Sequence, residues 1–277
     1  MNMQARWMLG VLLMLAATGG CARDPITGQR QLSLISQQQE IAMGREAAPD
    51  FEKQFDGLVA DPPLQRYVND VGQQVAAASH RPSLPYEFGL LNSDVPNAFA
   101  LPGGKIYVTA GLMRRMNDER QLAAVLAHEV GHVAAKHSVS GMQRQMGAEL
   151  LVTAAGMIVG EDKAEIAKAA SNIAANMALL RYSRQDEYEA DRLGVGYLAK
   201  SGYNPWGLVE LLEVLDRLHE GSGGGTLSEM FQTHPLTSER IRQAKAMVSE
   251  NHPEARRETP DPNADRFQRM QSRLPKE

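Results

Sequence analysis

Apolar positions along the chain fall into periodic blocks, and their periods decide the elements. Leu64, Tyr67, Val68, Val71 and Val75 recur at three- and four-residue intervals after Asp61-Pro62, which predicts an amphipathic helix starting at the proline. An earlier helix is predicted from the Ser36…Gln39 capping box to about residue 48, ahead of Pro49. From Tyr86 the period shortens: residues 86–91, 98–101 and 105–109 read as short strands, the last two separated by Pro102-Gly103-Gly104. Asp118 with Gln121 then opens a long helix predicted to reach about residue 138. Residues 142–160 and 161–180 read as an Ala-rich helical pair, interrupted by charges often enough to argue against a membrane hairpin. Ser183 with Asp186 opens a helix to about residue 200, another covers 206–218, a glycine-rich loop spans 221–225, and a last helix covers 238–249. Helices dominate and the strands cluster in one place, so the expected fold class is α+β, predominantly helical, with a small sheet beside the long central helix. No internal repeat supports a solenoid.

The two ends differ from this body. Arg6 precedes an apolar stretch over 7–17 and then Thr18-Gly19-Gly20-Cys21, the parts of a secretory signal of residues 1–20. Cys21 is the only cysteine, which excludes an internal disulfide. Directly after a signal, it resembles the lipidated cysteine of bacterial lipoproteins; Ala22 in the next position then implies the outer membrane. Residues 21–35 read as a lipidated tether, 36–250 as one catalytic-sized domain, and 251–277, polar and proline-rich, as a disordered tail.

Composition narrows the partners. Twenty-nine basic against 33 acidic residues, with no basic stripe, speaks against nucleic acid. Aromatics at 5% and 14 methionines suit a helix-rich protein better than a β-sandwich.

The chemistry concentrates in His128-Glu129-Val130-Gly131-His132, the HExxH pattern. Two histidines at i and i+4 lie one turn apart on a helix face and can hold one zinc ion, with the intervening Glu beside the metal. The flanks are nearly uncharged, unlike a solvated surface helix, and burying three polar groups with no metal to organise them would be costly. A catalytic zinc needs a third protein ligand and an open position for water. His137 lies nine residues from His128, about 900° of continuous helix, and is predicted to face away. With no cysteine in the body of the chain, a carboxylate or another histidine remains. Glu187 is the preferred candidate: Ala190, Leu193, Gly194 and Tyr197 mark the apolar face of its helix, Glu187 and Asp191 sit at the margin of that face, and Glu189 points away. Asp191 is then placed to accept the free ring N–H of a ligand histidine.

His128–His132 with Glu187…Asp191 downstream resembles the zinc metallopeptidase family that includes the CAAX prenyl proteases, HtpX and BepA. Further matches are Asn97-Ala98-Phe99-Ala100-Leu101-Pro102-Gly103-Gly104 leading into Ile106-Tyr107-Val108, and His234-Pro235 followed by Arg240. The resemblance covers roughly residues 25–245, without a helical-repeat domain or multiple membrane spans, which corresponds to a single-domain periplasmic branch. It implies a zincin (gluzincin-like) fold, one Zn²⁺ per chain, Glu129 as general base, and His234 near the metal as oxyanion donor or as an extra ligand that closes the site. It also places Arg240 in support of that region. The implied activity is a metalloendopeptidase of the bacterial envelope acting on unfolded or misfolded polypeptides, anchored through Cys21. Two alternatives are a chaperone-like outer-membrane assembly factor with a largely closed metal site, and an amidohydrolase for non-peptide amides. The strand around Phe99 or Tyr107 is expected to pair with extended substrate. Residues 142–180 are left open as lid or membrane contact.

Overall fold

The computed structural model describes residues 21–32, 35–142, 181–221, 233–235 and 238–276. The predicted signal, the apolar pair beyond Met142 and the glycine-rich loop beyond Gly221 lie outside the described residues.

The segment expected to be a tether is instead a hairpin. Strands β1 (Cys21–Arg23) and β2 (Arg30–Leu32) pair antiparallel. Asp24 closes the turn by accepting from the Ile26 and Thr27 amides at 2.8 and 2.7 Å, and Ile26 packs against the main core. Helix α1 (Gln37–Gln54) starts at the Ser36–Gln39 capping box, as its sequence dictates. It does not stop before Pro49 but continues to Gln54. The reason is burial further on: Phe51 inserts among Phe55, Phe99 and Tyr107, with ring centroids 4.9–5.4 Å from its own. That packing outweighs the one backbone hydrogen bond a proline removes. Helix α2 (Pro62–Ala76) is capped by the Asp61 carboxylate and buries the apolar face seen in the sequence.

Strands β3 (Glu87–Leu91), β4 (Ala98–Ala100) and β5 (Lys105–Thr109) form one sheet in the order β3-β5-β4, β3 parallel and β4 antiparallel to β5. The turn between β4 and β5 needs glycine at Gly103, whose φ is 79° and whose absent side chain would collide with the Ile41 backbone of α1 at 2.5 Å. Side chains close the β3 edge: Gln65 exchanges hydrogen bonds with the Leu90 amide and carbonyl at 2.9 and 2.8 Å, and Asn69 accepts from the Phe88 amide. Tyr107 lies on the central strand, flanked on both sides, so it cannot take a further strand as the sequence reading allowed. Phe99 lies on β4, which no other described strand covers.

After the single-turn helix α3 (Ala110–Met113) comes α4 (Glu119–Ala134), capped by Asp118 and buried at every position but Arg120. This is the helix carrying the HExxH residues. It contacts α2, β4, β5 and the two following helices, α5 (Arg184–Lys200) and α6 (Trp206–Gly221). Its closest neighbour is α5, because Gly131 leaves room for the Ala190 carbonyl, which a Cβ would meet at 3.0 Å. Helix α7 (Ser238–Asn251) packs against α5 and α6.

The tail expected to be disordered is part of the core. Helix α8 (Ala264–Gln271) carries Phe267, which is fully buried. Asp261 accepts from the Glu119 and Arg120 amides at 2.8 and 3.1 Å, satisfying the start of α4, and Gln271 donates to the Met113 and Met116 carbonyls. One apolar residue and a few well-placed polar ones overrode an otherwise polar composition. Among the described residues no helix is long and apolar enough to cross a membrane.

Candidate metal centre

Helix α4 supplies His128, Glu129 and His132; α5 supplies Glu187 and Asp191; Arg240 comes from α7 and His234 from the segment before it. Because α4 and α5 touch through Gly131, the i, i+4 pair on each helix faces the other helix. One ligand atom each from His128, His132, Glu187 and His234 lies within 4.8 Å of all the others. His128 Nε2 stands 3.0 Å from His132 Nε2 and 3.5 Å from His234 Nδ1. Glu187 Oε1 is 3.0 Å from His234 Nδ1 and 3.4 Å from His132 Nε2.

These separations suit a metal. Ligand atoms about 2.0–2.2 Å from a tetrahedral zinc stand roughly 3.3–3.5 Å apart. Charge points the same way: three carboxylates, Glu129, Glu187 and Asp191, are buried beside the guanidinium of Arg240, an acidic excess that suits a cation. Glu129 Oε2 is buried with no hydrogen-bond partner, an acceptor left for something that binds in this space.

The electrostatics follow from burial and neighbours. Burial works against charge on His128, but hydrogen bonds to Asp191 and Glu187 outweigh it and hold its pKa up at about 10. His132, wholly buried, is pushed well below the ordinary histidine value and is neutral, the state a metal requires. Burial raises Glu129 above the usual carboxylate range. For Glu187 burial is overcome by His234 and Arg240, and for Asp191 by Arg240, so both are held ionised. Arg240 grips Asp191 with Nε and Nη2, both at 2.8 Å, and reaches Glu187 Oε2 with Nη1 at 2.5 Å.

All seven residues singled out in the body of the chain therefore meet at one place. Two residues that matter were missed. His137, expected to face away from the metal position, is not among the four clustered donors, but α4 ends at Ala134, Lys136 turns the chain at φ 58°, and His137 Nδ1 comes 2.9 Å from His132 Nδ1, on the side of that ring away from the cluster. Its Nε2 lies 3.4 Å from Glu189 Oε2, so Glu189 points away from the cluster as expected but still serves it. Tyr182 stacks on His132, centroids 3.9 Å apart and planes 30° apart, while its hydroxyl hydrogen-bonds Ser138. Its place just ahead of the Ser183 cap gave no signal. Cys21 heads β1, remote in sequence from the cluster.

Beside His128 and Glu129 opens a narrow recess walled by Leu112, Val125, Leu208, Leu211, Leu212 and Leu215 and edged by Asn97 and Ala98 at the start of β4. The reactive groups thus sit between the β4 edge of the described sheet and an apolar recess.

Residues 62–248 match the model of Peptidase family M48. The chain is 31% identical over 242 residues to the beta-barrel assembly-enhancing protease of Escherichia coli, covering 83% of this chain and 48% of that one. It is 30% identical over 267 residues to the mitochondrial metalloendopeptidase OMA1 of Schizosaccharomyces pombe, covering 92% and 75%. To the metalloprotease LoiP of Escherichia coli it is 34% identical over 153 residues, 55% of this chain and 59% of that one. The chain spans about half the length of the first of these relatives. With the matched region enclosing both helices of the cluster, the chain belongs to peptidase family M48, whose members are zinc metallopeptidases.

Proposed function

We propose that the protein is a zinc endopeptidase of the bacterial cell envelope that hydrolyses unfolded or misfolded polypeptides, with His128, His132 and Glu187 holding the metal and Glu129 as general base. The observation that carries this reading is the convergence of four donor atoms within 4.8 Å beside a buried carboxylate with an unpartnered oxygen. Zinc in this position supplies Lewis acidity, lowering the pKa of water to about 7 and polarising the scissile carbonyl. Glu129 takes the proton of the attacking water and passes it to the leaving amine, and its raised pKa suits a group that must hold that proton between the two transfers. Asp191 stands behind His128 with Oδ1 2.9 Å from Nδ1, a charge placed to orient the ring, and Arg240 fixes Asp191 and Glu187 together.

His234 has two competing uses. Its Nε2, 3.7 Å from Glu129, can donate to the developing oxyanion; its Nδ1, among the cluster atoms, can fill the fourth ligand position and close the site. The described geometry favours the second use at rest. The free oxygen of Glu129 speaks against a purely chaperone-like role.

Substrate binding follows from the surroundings. β4 offers an extended chain an edge that no other described strand covers, and the leucine-lined cavity accepts an apolar side chain next to the scissile bond. Sequence-tolerant backbone pairing combined with an apolar anchor suits exposed segments of unfolded proteins. The printed name of the beta-barrel assembly-enhancing relative supports outer-membrane proteins as the substrate class. The signal-like start and Cys21 support a periplasmic location with a lipid anchor in the outer membrane.

The test is direct. The purified zinc-loaded protein should cleave an unfolded protein, and Glu129→Gln should keep its zinc while cleavage falls by roughly 10²–10⁴-fold. Equal cleavage by the two forms would end the reading.

A further inference from the structure

Both α4 histidines must be held in the tautomer that leaves Nε2 unprotonated, and the structure shows a different device for each. Behind His128 stands a carboxylate, Asp191. Behind His132 stands another histidine: His137 Nδ1 lies 2.9 Å from His132 Nδ1, with both rings buried. Two imidazole nitrogens that close must share one proton, so one donates and the other accepts. If His132 Nε2 is to offer a lone pair, the proton sits on His132 Nδ1 and His137 Nδ1 accepts it. His137 is then protonated on Nε2, which faces Glu189 Oε2 at 3.4 Å and Asp186 Oδ1 at 3.7 Å. The donors run in one direction, from His132 through His137 to the acidic start of α5.

We propose that His137 is a positioning residue that fixes the tautomer and orientation of His132 for metal binding, through this histidine-to-histidine hydrogen bond backed by Glu189 and Asp186. The inference rests on the reading of His132 as a zinc ligand. Tyr182, stacked on the same ring, restricts its tilt but cannot choose its tautomer, because its hydroxyl is bonded to Ser138. Nor does a free helix end explain the contact. The Val133 carbonyl accepts from both the Lys136 amide at 3.1 Å and the buried Arg81 guanidinium at 3.0 Å, so the chain leaves α4 at a fixed point, and the positive φ at Lys136 returns His137 to the site.

The experiment measures zinc affinity by chelator competition in the full chain. His137→Ala and His137→Phe should each weaken binding by roughly 10–100-fold, whereas His137→Asn, whose carbonyl oxygen accepts the same proton, should recover most of it. His137→Phe fills the space without an acceptor, so equal affinity of the Phe and Asn variants would overturn the proposal, as would wild-type affinity in His137→Ala. In the unmutated zinc-loaded protein, ¹⁵N-histidine spectra should show His132 protonated on Nδ1 and His137 on Nε2; a proton on His137 Nδ1 overturns it without any variant having to fold. His132→Ala separates the two readings. If that variant keeps its zinc, the ligand assignment fails; if it loses zinc while His137→Ala does not, only the present inference fails.

Discussion

His128 and His132 lie one turn apart on α4 and present Nε2 to the same point, yet their far sides meet different chemistry. His128 is backed by the ionised pair Asp191–Arg240, one buried carboxylate held by a bidentate guanidinium. His132 is backed by neutral groups, the ring of His137 and the face of Tyr182. A charged partner raises the basicity of its histidine, and the pKa of His128, up at about 10, against the depressed one of His132 expresses that contrast. One histidine is thus bound into the charge balance of the core. The other is held by geometry at the end of a helix.

The contrast can be broken in order of effect. Asp191→Ala should act on stability and metal together. It should cost about 3–5 kcal/mol in denaturant unfolding of the metal-free protein, because Arg240 is left with less compensation in the core, and zinc affinity should fall roughly 10–100-fold. If Asp191→Ala unfolds like the wild type, the charged side of the comparison is wrong. Next comes the metal: zinc at about 100 times its Kd should raise unfolding stability by about 2.7 kcal/mol, and a chelator should reverse this and abolish cleavage. No stabilisation in calorimetry would mean the folded site does not select the ion. The smallest effect belongs to Glu189→Gln. Glu189 is partly exposed and Gln keeps an acceptor oxygen for His137, so zinc affinity should change by less than about threefold. A larger loss would place charge, rather than hydrogen-bond direction, behind His132 as well.

Much of the site could be read from residue order because it is local. His128, Glu129 and His132 share a face by the helical repeat, and Glu187 with Asp191 does so on α5, where apolar neighbours marked the face that turns inward. The capping boxes at Ser36 and Ser183 and the Asp118 cap set the starts of α1, α5 and α4 where the sequence placed them. The failures share a cause. An unbroken helix to residue 138 would put His137 out of phase, but α4 ends at Ala134, where the Val133 carbonyl accepts from Arg81, distant in sequence, as well as from the Lys136 amide. Stopping α1 at Pro49 ignored the aromatic cluster that Phe51 joins, and treating residues 251–277 as a loose tail ignored Phe267 and Asp261. In each case a long-range contact outweighed a local rule.

By itself, the sequence determined the zinc-type motif, the helix phases of five of the seven cluster residues and the α+β class, because periodicity and capping act within a few residues along the chain. His234 and Arg240 were reached through family resemblance alone. Only the tertiary structure decided that α5 meets α4 at Gly131, that β4 is a sheet edge covered by no other described strand while β5 is central, and that His137 returns to His132. Those outcomes depend on which surfaces pack and which buried groups find partners, and such terms are fixed only when distant segments meet.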